Sequence, residues 1–290
     1  MTSALPGGTL DSHLPDLRFV PTDSVLPHEQ PDEQRLQPLV QKIREESVLR
    51  NPPVVTVLTG NGSSGARYMV LDGANRATAA RAAGFPHVVV QVVPYDDHHV
   101  RLTTWNHALA RCERGELQAM LDRIEGLSCR TAEPMRARAT LARRDALAWM
   151  GFEDGGVVTL QGGRDLHERN MLLNQVVDGY RRRGRFYRVE GDSLERVRDR
   201  HPEATALVVF PHFEPAEILE LVTAEHRLPA GITRHLIRWR ALRLNVPIEH
   251  LADTRASLEE KNHWLAEWVK EKLSHRQVRY YEEPTVLFDE

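Results

Sequence analysis

The sequence predicts an α/β fold of the α+β kind, and three observations carry that prediction. Short apolar runs with the look of buried strands (VVTVL at 54–58, RYMVL at 67–71, VVVQVV at 88–93) alternate with segments of helical spacing. Turn-forming clusters such as Asn51-Pro52-Pro53 and Asp72-Gly73 punctuate them. The chain has 290 residues, of which 41% are hydrophobic and 27% charged, enough for a substantial core and for two modest domains or one large one. Residues 1–17, rich in Gly, Pro and Ser, read as a loosely attached arm. Residues 18–110 read as one compact α/β unit, and 111–290 as a mixed, mostly helical second domain.

Taken in order, Phe19 and Val20 start a strand, and Leu26-Pro27-His28-Glu29 makes a turn. Pro31-Asp32-Glu33 opens a helix in which Leu36, Leu39, Val40 and Ile43 recur at helical spacing to about Glu46. The strand 54–58 leads through a Gly/Ser loop into strand 67–71, the DGANR turn, a helix over 75–83 and strand 88–93. Asp96-Asp97 supplies capping residues for a helix running to about Arg111. Helices are predicted at 116–124, 132–150, 164–183, 215–225, 233–244 and 256–274. GRFYRV and TALVVF read as strands, and YYEEPTVLF as a terminal strand.

Several classes are disfavoured at once. A net charge of −3, from 38 Lys and Arg against 41 Asp and Glu, gives no overall basic field for nucleic acid. Two isolated cysteines, Cys112 and Cys129, fit reduced thiols rather than a disulfide frame or a zinc site. The N-terminal residues show no basic or apolar region of a secretory signal, and no run approaches 18 apolar residues, so a cytoplasmic protein without a membrane span is expected. GNGSSG, Gly60 to Gly65, matches a dinucleotide fingerprint in letters only, because a strand follows where a helix is required. No P-loop motif is present. DDHH at 96–99 has metal-ligand residue types, but on a helix adjacent side chains diverge, so a cap with exposed histidines is expected. The basic run RRRGRFYR, Arg181 to Arg188, reads first as a solvated helix end and second as a nucleic-acid or polyphosphate contact.

Three places join reactive residues to turns. In LPHEQPDEQR, Glu29 stands in a proline-bounded turn, where it is either a reactive carboxylate or a solvated dipole partner for the next helix. In LDGANR, Asp72 ends a strand and Gly73 lets backbone approach a ligand. Arg76 adds a charged fork to the amides of a helix start, a natural anion cradle. The plainer reading of that turn is a βα connection with a capping Asp. In LPAGITRHLIRWRALRLN, 228–245, Thr233, Arg234 and His235 fall in the first turn of the predicted helix. Cations are disfavoured at that end, so a bound anion would account for them.

NPPVV followed by LDGANRATAARAAGFPHVVVQVV resembles the ParB/sulfiredoxin-like fold. With HE at 28–29, TTWNH at 103–107 and LPAGITRH at 228–235, the chain resembles the free L-serine kinases of that fold, including the siderophore-biosynthesis serine kinases. The resemblance covers 20–110 and 200–250. It implies transfer of a phosphoryl group from ATP or ADP to L-serine, giving O-phospho-L-serine, with Mg²⁺ as cofactor. It further implies Glu29 as general base and Asp72, Gly73, Ala74, Asn75 and Arg76 as the phosphate-handling turn, with Asp72 orienting Mg²⁺ or substrate. Trp105, Thr233, Arg234 and His235 fall on its serine side. Several relatives carry a histidine within the turn where this chain has Ala74-Asn75, so any role needing an imidazole there is lost. The rival expectation is a ParB-like DNA-binding or partition regulator, supported by the arginine run and opposed by the net charge. A sulfiredoxin-type reductase lacks the thiol it would need in the DGANR turn.

Overall fold

The computed structural model describes residues 14–31, 41, 47–58 and 65–281. Its first sheet has five strands in the order β1-β6-β4-β5-β2, where β1 is Asp16–Pro21, β2 Val25–Pro27, β4 Val54–Leu58, β5 Arg67–Asp72 and β6 His87–Val92. β1 pairs antiparallel with β6, and β4 antiparallel with β5, whereas β2 runs parallel to β5 with Pro27 opposite Val70. Parallel pairing brings the carboxyl ends of β2 and β5 to one edge. The residues that follow them, His28-Glu29 and Asp72-Gly73, are therefore neighbours despite the 40-odd residues between them.

Helix α1, Ala74–Ala82, packs on this sheet through Ala77, Ala79 and Ala80, whose small side chains allow close approach to the Val-rich strands. The far edge is covered by the last helix. There Asn262 accepts from the Phe19 amide at 2.8 Å and donates to the Phe19 carbonyl at 3.0 Å, which blunts edge strand β1. That helix, Leu258–Ser274, opens with a Ser257/Glu260 capping box and lays Trp264, Leu265 and Trp268 on the sheet.

The second sheet has six strands. In chain order they are β8 Asn106–Ala110, β9 Ser128–Thr131, β10 Ala148–Phe152, β11 Val157–Gln161, β12 Phe186–Val189 and β13 Ala204–Val209, and the spatial order is β12-β8-β13-β10-β11-β9. Helices α2 (Arg114–Leu121), α4 (Leu166–Arg181) and α6 (Pro215–Thr223) bury Leu117, Leu121, Val176, Ile218 and Leu221 against Leu109, Met150, Leu160 and Val208. The other face carries α3 (Pro134–Ala142) and the short α5 (Leu194–Arg198), against Trp149 and Leu207. Met69, Leu71 and Tyr95 of the first half belong to the same apolar cluster as Leu109 and Ile232, so one core runs across the residue-110 position. Two small ribbons complete the fold. β7, Val100–Thr104, pairs antiparallel with β14, Thr233–Ile237; β3, Val48–Leu49, pairs with β15, Val246–Pro247, which leads into α7, Ile248–Ala252. Among the described residues no helix is long and apolar enough to cross a membrane.

The α/β class is borne out, as are the strands at 54–58, 67–72 and 87–92 and the helices at 74–82, 166–181, 215–223 and 258–274. Two expected helices are strands. Residues 96–111 form a turn followed by β7 and β8, because Val100, Thr103 and Thr104 suit a pleated strand better than a helix and Asp97 caps only the His99 amide. Residues 233–244 form β14 and then an irregular run with Trp239 and Arg243 at positive φ. The helix expected over 132–150 stops at Ala142, and Ala148–Phe152 is a fully buried strand. β1 begins at Asp16, inside the span assigned to the arm. The helix from Pro31 to Glu46 and the GNGSSG loop fall, apart from residues 31, 41 and 65, outside the described residues. So does the terminal strand beyond Tyr281.

Candidate active site

Segment 28–30 leaves β2 and meets the stretch before β14. Leu228 donates its amide to the His28 carbonyl at 2.9 Å, and Gln30 donates to the Leu228 carbonyl at 2.8 Å. This short bridge fixes Glu29 under the 231–233 loop. Its Oε2 accepts from the Gly231 amide at 2.7 Å. Its Oε1 accepts from the Thr233 amide at 2.7 Å and the Thr233 hydroxyl at 2.5 Å. Gly231 sits at φ +77°, and a Cβ there would run into the Arg188 guanidinium, so glycine is required both for the turn and for the approach. The Gly231 carbonyl is held in turn by His107, whose Nε2–H donates to it at 3.0 Å while Nδ1 accepts from the Tyr180 hydroxyl.

Because β14 is a strand, its side chains alternate between faces. Thr233 and His235 share one face. Thr233, 9% exposed, lies 2.7 Å from His28 Nε2, and the His235 ring meets His28 edge-on at 5.1 Å. His28 is 4% exposed, with Nδ1 against the Val70 carbonyl of β5. Tyr95 places its hydroxyl 2.9 Å from His235 Nε2; burial raises the phenol well above its ordinary range, so it stays the donor. Burial first, and the facing His28 second, push the His235 imidazole well below its ordinary range and keep it neutral.

Arg234 takes the opposite face. It stacks over the Trp105 ring at 4.4 Å and pairs with Glu190. Trp105 marks the break between β7 and β8, and its amide donates to the Ile232 carbonyl at 3.0 Å. The helix start expected at 233–235 is thus corrected. The residues present a polar face by strand alternation, and the dipole argument for an anion at that point lapses.

The DGANR turn keeps its expected form. Gly73 is the left-handed cap of α1 at φ +87°, and among the described residues no side chain caps the helix, so the first-turn amides of Ala74, Asn75 and Arg76 are open as an anion cradle. Asp72 Oδ2 accepts from Arg76 at 2.9 Å and from Arg240 at 2.5 Å. Among the described residues no hydrogen bond reaches its Oδ1, which suits Mg²⁺ held by one carboxylate together with the phosphates of a substrate.

The structure therefore gathers Glu29, Thr233 and His235 around His28, and sets Trp105 with Arg234 beside the same loop. His28, Tyr95, His107 and Arg240 were not singled out in the sequence. His28, His107 and Arg240 nonetheless lie inside the quoted stretches HE, TTWNH and 228–245, whereas Tyr95 lies in none of them. Within the basic run, Arg181 donates to the Pro31 carbonyl at 3.2 Å and Arg188 lies against Gly231, so part of it faces the loop rather than solvent. At 97–99 the turn brings one ligand atom each of Asp97, His98 and His99 within 4.8 Å of one another, which a helix would have prevented. Backbone donation from His99 holds the Asp97 carboxyl below its usual range.

No protein-family model matches the chain. In sequence it is similar to an ATP-dependent L-serine kinase of Staphylothermus marinus, 24% identical over 240 residues, which cover 80% of this chain and 90% of that one. It is similar also to the ATP-dependent L-serine kinase SbnI of Staphylococcus aureus, 25% identical over 94% of this chain and 97% of that one. An ADP-dependent L-serine kinase of Thermococcus kodakarensis is 21% identical over 81% of this chain and 93% of that one. Among solved structures, a free serine kinase in complex with AMP superposes with a TM-score of 0.68 at 20% identity, covering 82% of this chain and 94% of that one. The chain has the fold of that kinase.

Proposed function

We propose that the chain is a free L-serine kinase, which transfers a phosphoryl group from ATP or ADP to the hydroxyl of L-serine and releases O-phospho-L-serine. The observation that carries this is the placement of the Glu29 carboxylate, fixed by three hydrogen bonds, on the same sheet edge as the open helix start after Asp72-Gly73. A base and an anion cradle at one edge are the two parts that phosphoryl transfer to an alcohol needs. The relatives named above act on L-serine, which supports the acceptor.

In this reading the amides of 74–76 and the Arg76 and Arg240 guanidinia hold the donor phosphates, and Asp72 fixes their position. Asp72 would hold Mg²⁺, which when bound would neutralise charge that develops in transfer. Glu29 accepts the serine Oγ proton as the P–O bond forms. Arg234 exchanges Glu190 for the serine carboxylate, and Trp105 walls the pocket against water. The inward attachment of Arg181 and Arg188 weighs against a DNA-binding role for the basic run.

The test is ³¹P NMR of the protein with Mg²⁺, L-serine and either nucleotide. A phosphomonoester signal that requires serine is expected, and its donor is read from which nucleotide is consumed; silence with both, from a folded sample, removes the kinase reading. Two variants probe the halves of the site. Arg234→Ala is expected to raise the serine KM by about tenfold to a hundredfold, the scale of losing a hydrogen bond between charged groups, with the nucleotide KM little changed; an unchanged serine KM moves the carboxylate site elsewhere. Asp72→Asn is expected to raise the Mg²⁺ concentration for half-maximal rate at least about tenfold, since ligation by a single carboxylate is weak without its charge. An unaltered Mg²⁺ titration would take Asp72 out of that role.

A further inference from the structure

Hydrogen-bond connectivity at the centre of the site constrains how its protons are shared. His28 Nδ1 faces the Val70 carbonyl, which can only accept, so Nδ1 carries a hydrogen. The Thr233 hydroxyl has one hydrogen but lies between two partners that ordinarily accept, His28 Nε2 at 2.7 Å and Glu29 Oε1 at 2.5 Å. Both contacts can be hydrogen bonds only if the chain holds one more proton. Either His28 is an imidazolium that donates to Thr233, which donates to the Glu29 carboxylate, or Glu29 is a carboxylic acid that donates to Thr233, which donates to a neutral His28. The two states differ by a concerted shift of two hydrogens along one line.

We propose that His28, Thr233 and Glu29 form a proton relay, in which the proton taken from the serine hydroxyl by Glu29 passes through the Thr233 hydroxyl to His28. This rests on the serine kinase reading of Glu29. The balance is complete. Serine Oγ attacks the terminal phosphorus of the donor, and the bond to the leaving nucleotide breaks with its electron pair. The Oγ proton goes to Glu29. Glu29 then gives a proton to Thr233 Oγ1 as the Thr233 hydrogen moves to His28 Nε2, leaving a carboxylate and an imidazolium. A line in which both Thr233 contacts carry their own hydrogen is the state after proton uptake; the form ready to react holds one fewer.

The groups around His28 leave it as the end of the line. His235, facing it from β14, is neutral by burial and is tied to the Tyr95 phenol, which burial keeps protonated. On β5 the nearest charge is Asp72, already engaged by Arg76 and Arg240. From β14, Arg234 points to the opposite face toward Glu190. Glu29 is thus the only carboxylate joined to His28 by hydrogen bonds among the described residues. His28 acts on the reaction through Thr233 and Glu29, and is a positioning and proton-storing residue.

Two readouts test the relay. The first is kcat against pH. The reactive form must be free of the shared proton, so the acid limb reports uptake by the whole chain. His28→Gln removes one of the two sites that share it. Its kcat is expected to fall by about tenfold to a hundredfold, and the limb midpoint to move at least about one pH unit lower, since free imidazole and carboxyl groups differ by roughly two. Thr233→Val is expected to lower the midpoint likewise, and Thr233→Ser to leave it in place. A purely structural His28 would lower kcat and leave the midpoint unmoved, which overturns the relay.

The second readout needs no turnover. Imidazole ¹⁵N NMR of the ligand-free protein is expected to show His28 Nδ1 protonated throughout, and Nε2 losing its proton at a lower pH in Glu29→Gln than in the natural chain. An Nε2 titration indifferent to that substitution overturns the proposal. A coupled Nε2 titration in a protein that makes no phosphoserine would leave the proton chain standing and remove the kinase reading.

Discussion

Glu29→Gln is expected to lower phosphoryl transfer to serine by about three orders of magnitude, within the range that a positioned general base contributes. Serine's hydroxyl is a poor nucleophile, and Glu29 is the carboxylate that the backbone of the 231–233 loop fixes in this cluster. The carboxylate is aimed by two amides and one hydroxyl, all from the 231–233 loop. Glutamine keeps the shape but offers one oxygen and one amide nitrogen. If the oxygen stays on Thr233, the amide hydrogens meet the Gly231 N–H, a donor against a donor. The variant should therefore fold and melt cooperatively with a stability loss of about 1–3 kcal/mol, while turnover collapses. Circular dichroism and serine-dependent phosphoserine formation, measured on the same sample, separate the two effects. A variant that turns over at near-normal rate would remove Glu29 as the base.

Much of this site was legible in the sequence because its local half is short-range. LDGANR announces a strand, a turn glycine and a helix start within six residues, and all three are present, the glycine in the left-handed region. Glu29 in a proline-bounded turn was visible for the same reason. The failures are two faces of one event. Val100–Thr104 and Thr233–Ile237 were each expected to be helical, and each is the other's strand partner across 130 residues. Asp97 is a good cap and Leu236, Trp239, Leu242 and Leu244 recur at near-helical spacing, so local chemistry pointed to helices. Pairing energy that no local window contains decided otherwise. His28 illustrates the same limit. Its adjacency to Glu29 is plain in the sequence, but its meaning comes from Thr233, 205 positions away.

His107 makes the loop that presents Glu29's donors sensitive to acid. Its ring has no exposed surface, stacks on Phe186 at 4.2 Å, and donates Nε2–H to the Gly231 carbonyl. Burial is the largest cause that brings its pKa down to about 3; the Gly231 carbonyl opposes, and Arg188 and Arg181 add to the lowering. In the unfolded chain an ordinary imidazole takes a proton near pH 6.5. As pH falls, the unfolded state therefore binds this proton first. The stabilisation is fully present above about 6.5 and is lost progressively as the pH drops toward 3. At pH 5 the loss amounts to about 2 kcal/mol, from roughly 1.5 units at about 1.4 kcal/mol each. Urea unfolding of the natural chain and of His107→Gln, at pH 7.5 and pH 5, isolates this contribution. The variant should be the less stable at pH 7.5, where it loses ring packing, yet lose about 2 kcal/mol less on acidification. Equal losses in both proteins would mean that His107 is not the group responsible. Since His107 holds Gly231, and Gly231 holds Glu29, early acid loosening should appear as lost turnover before global unfolding, with the 231–233 amides the first to exchange.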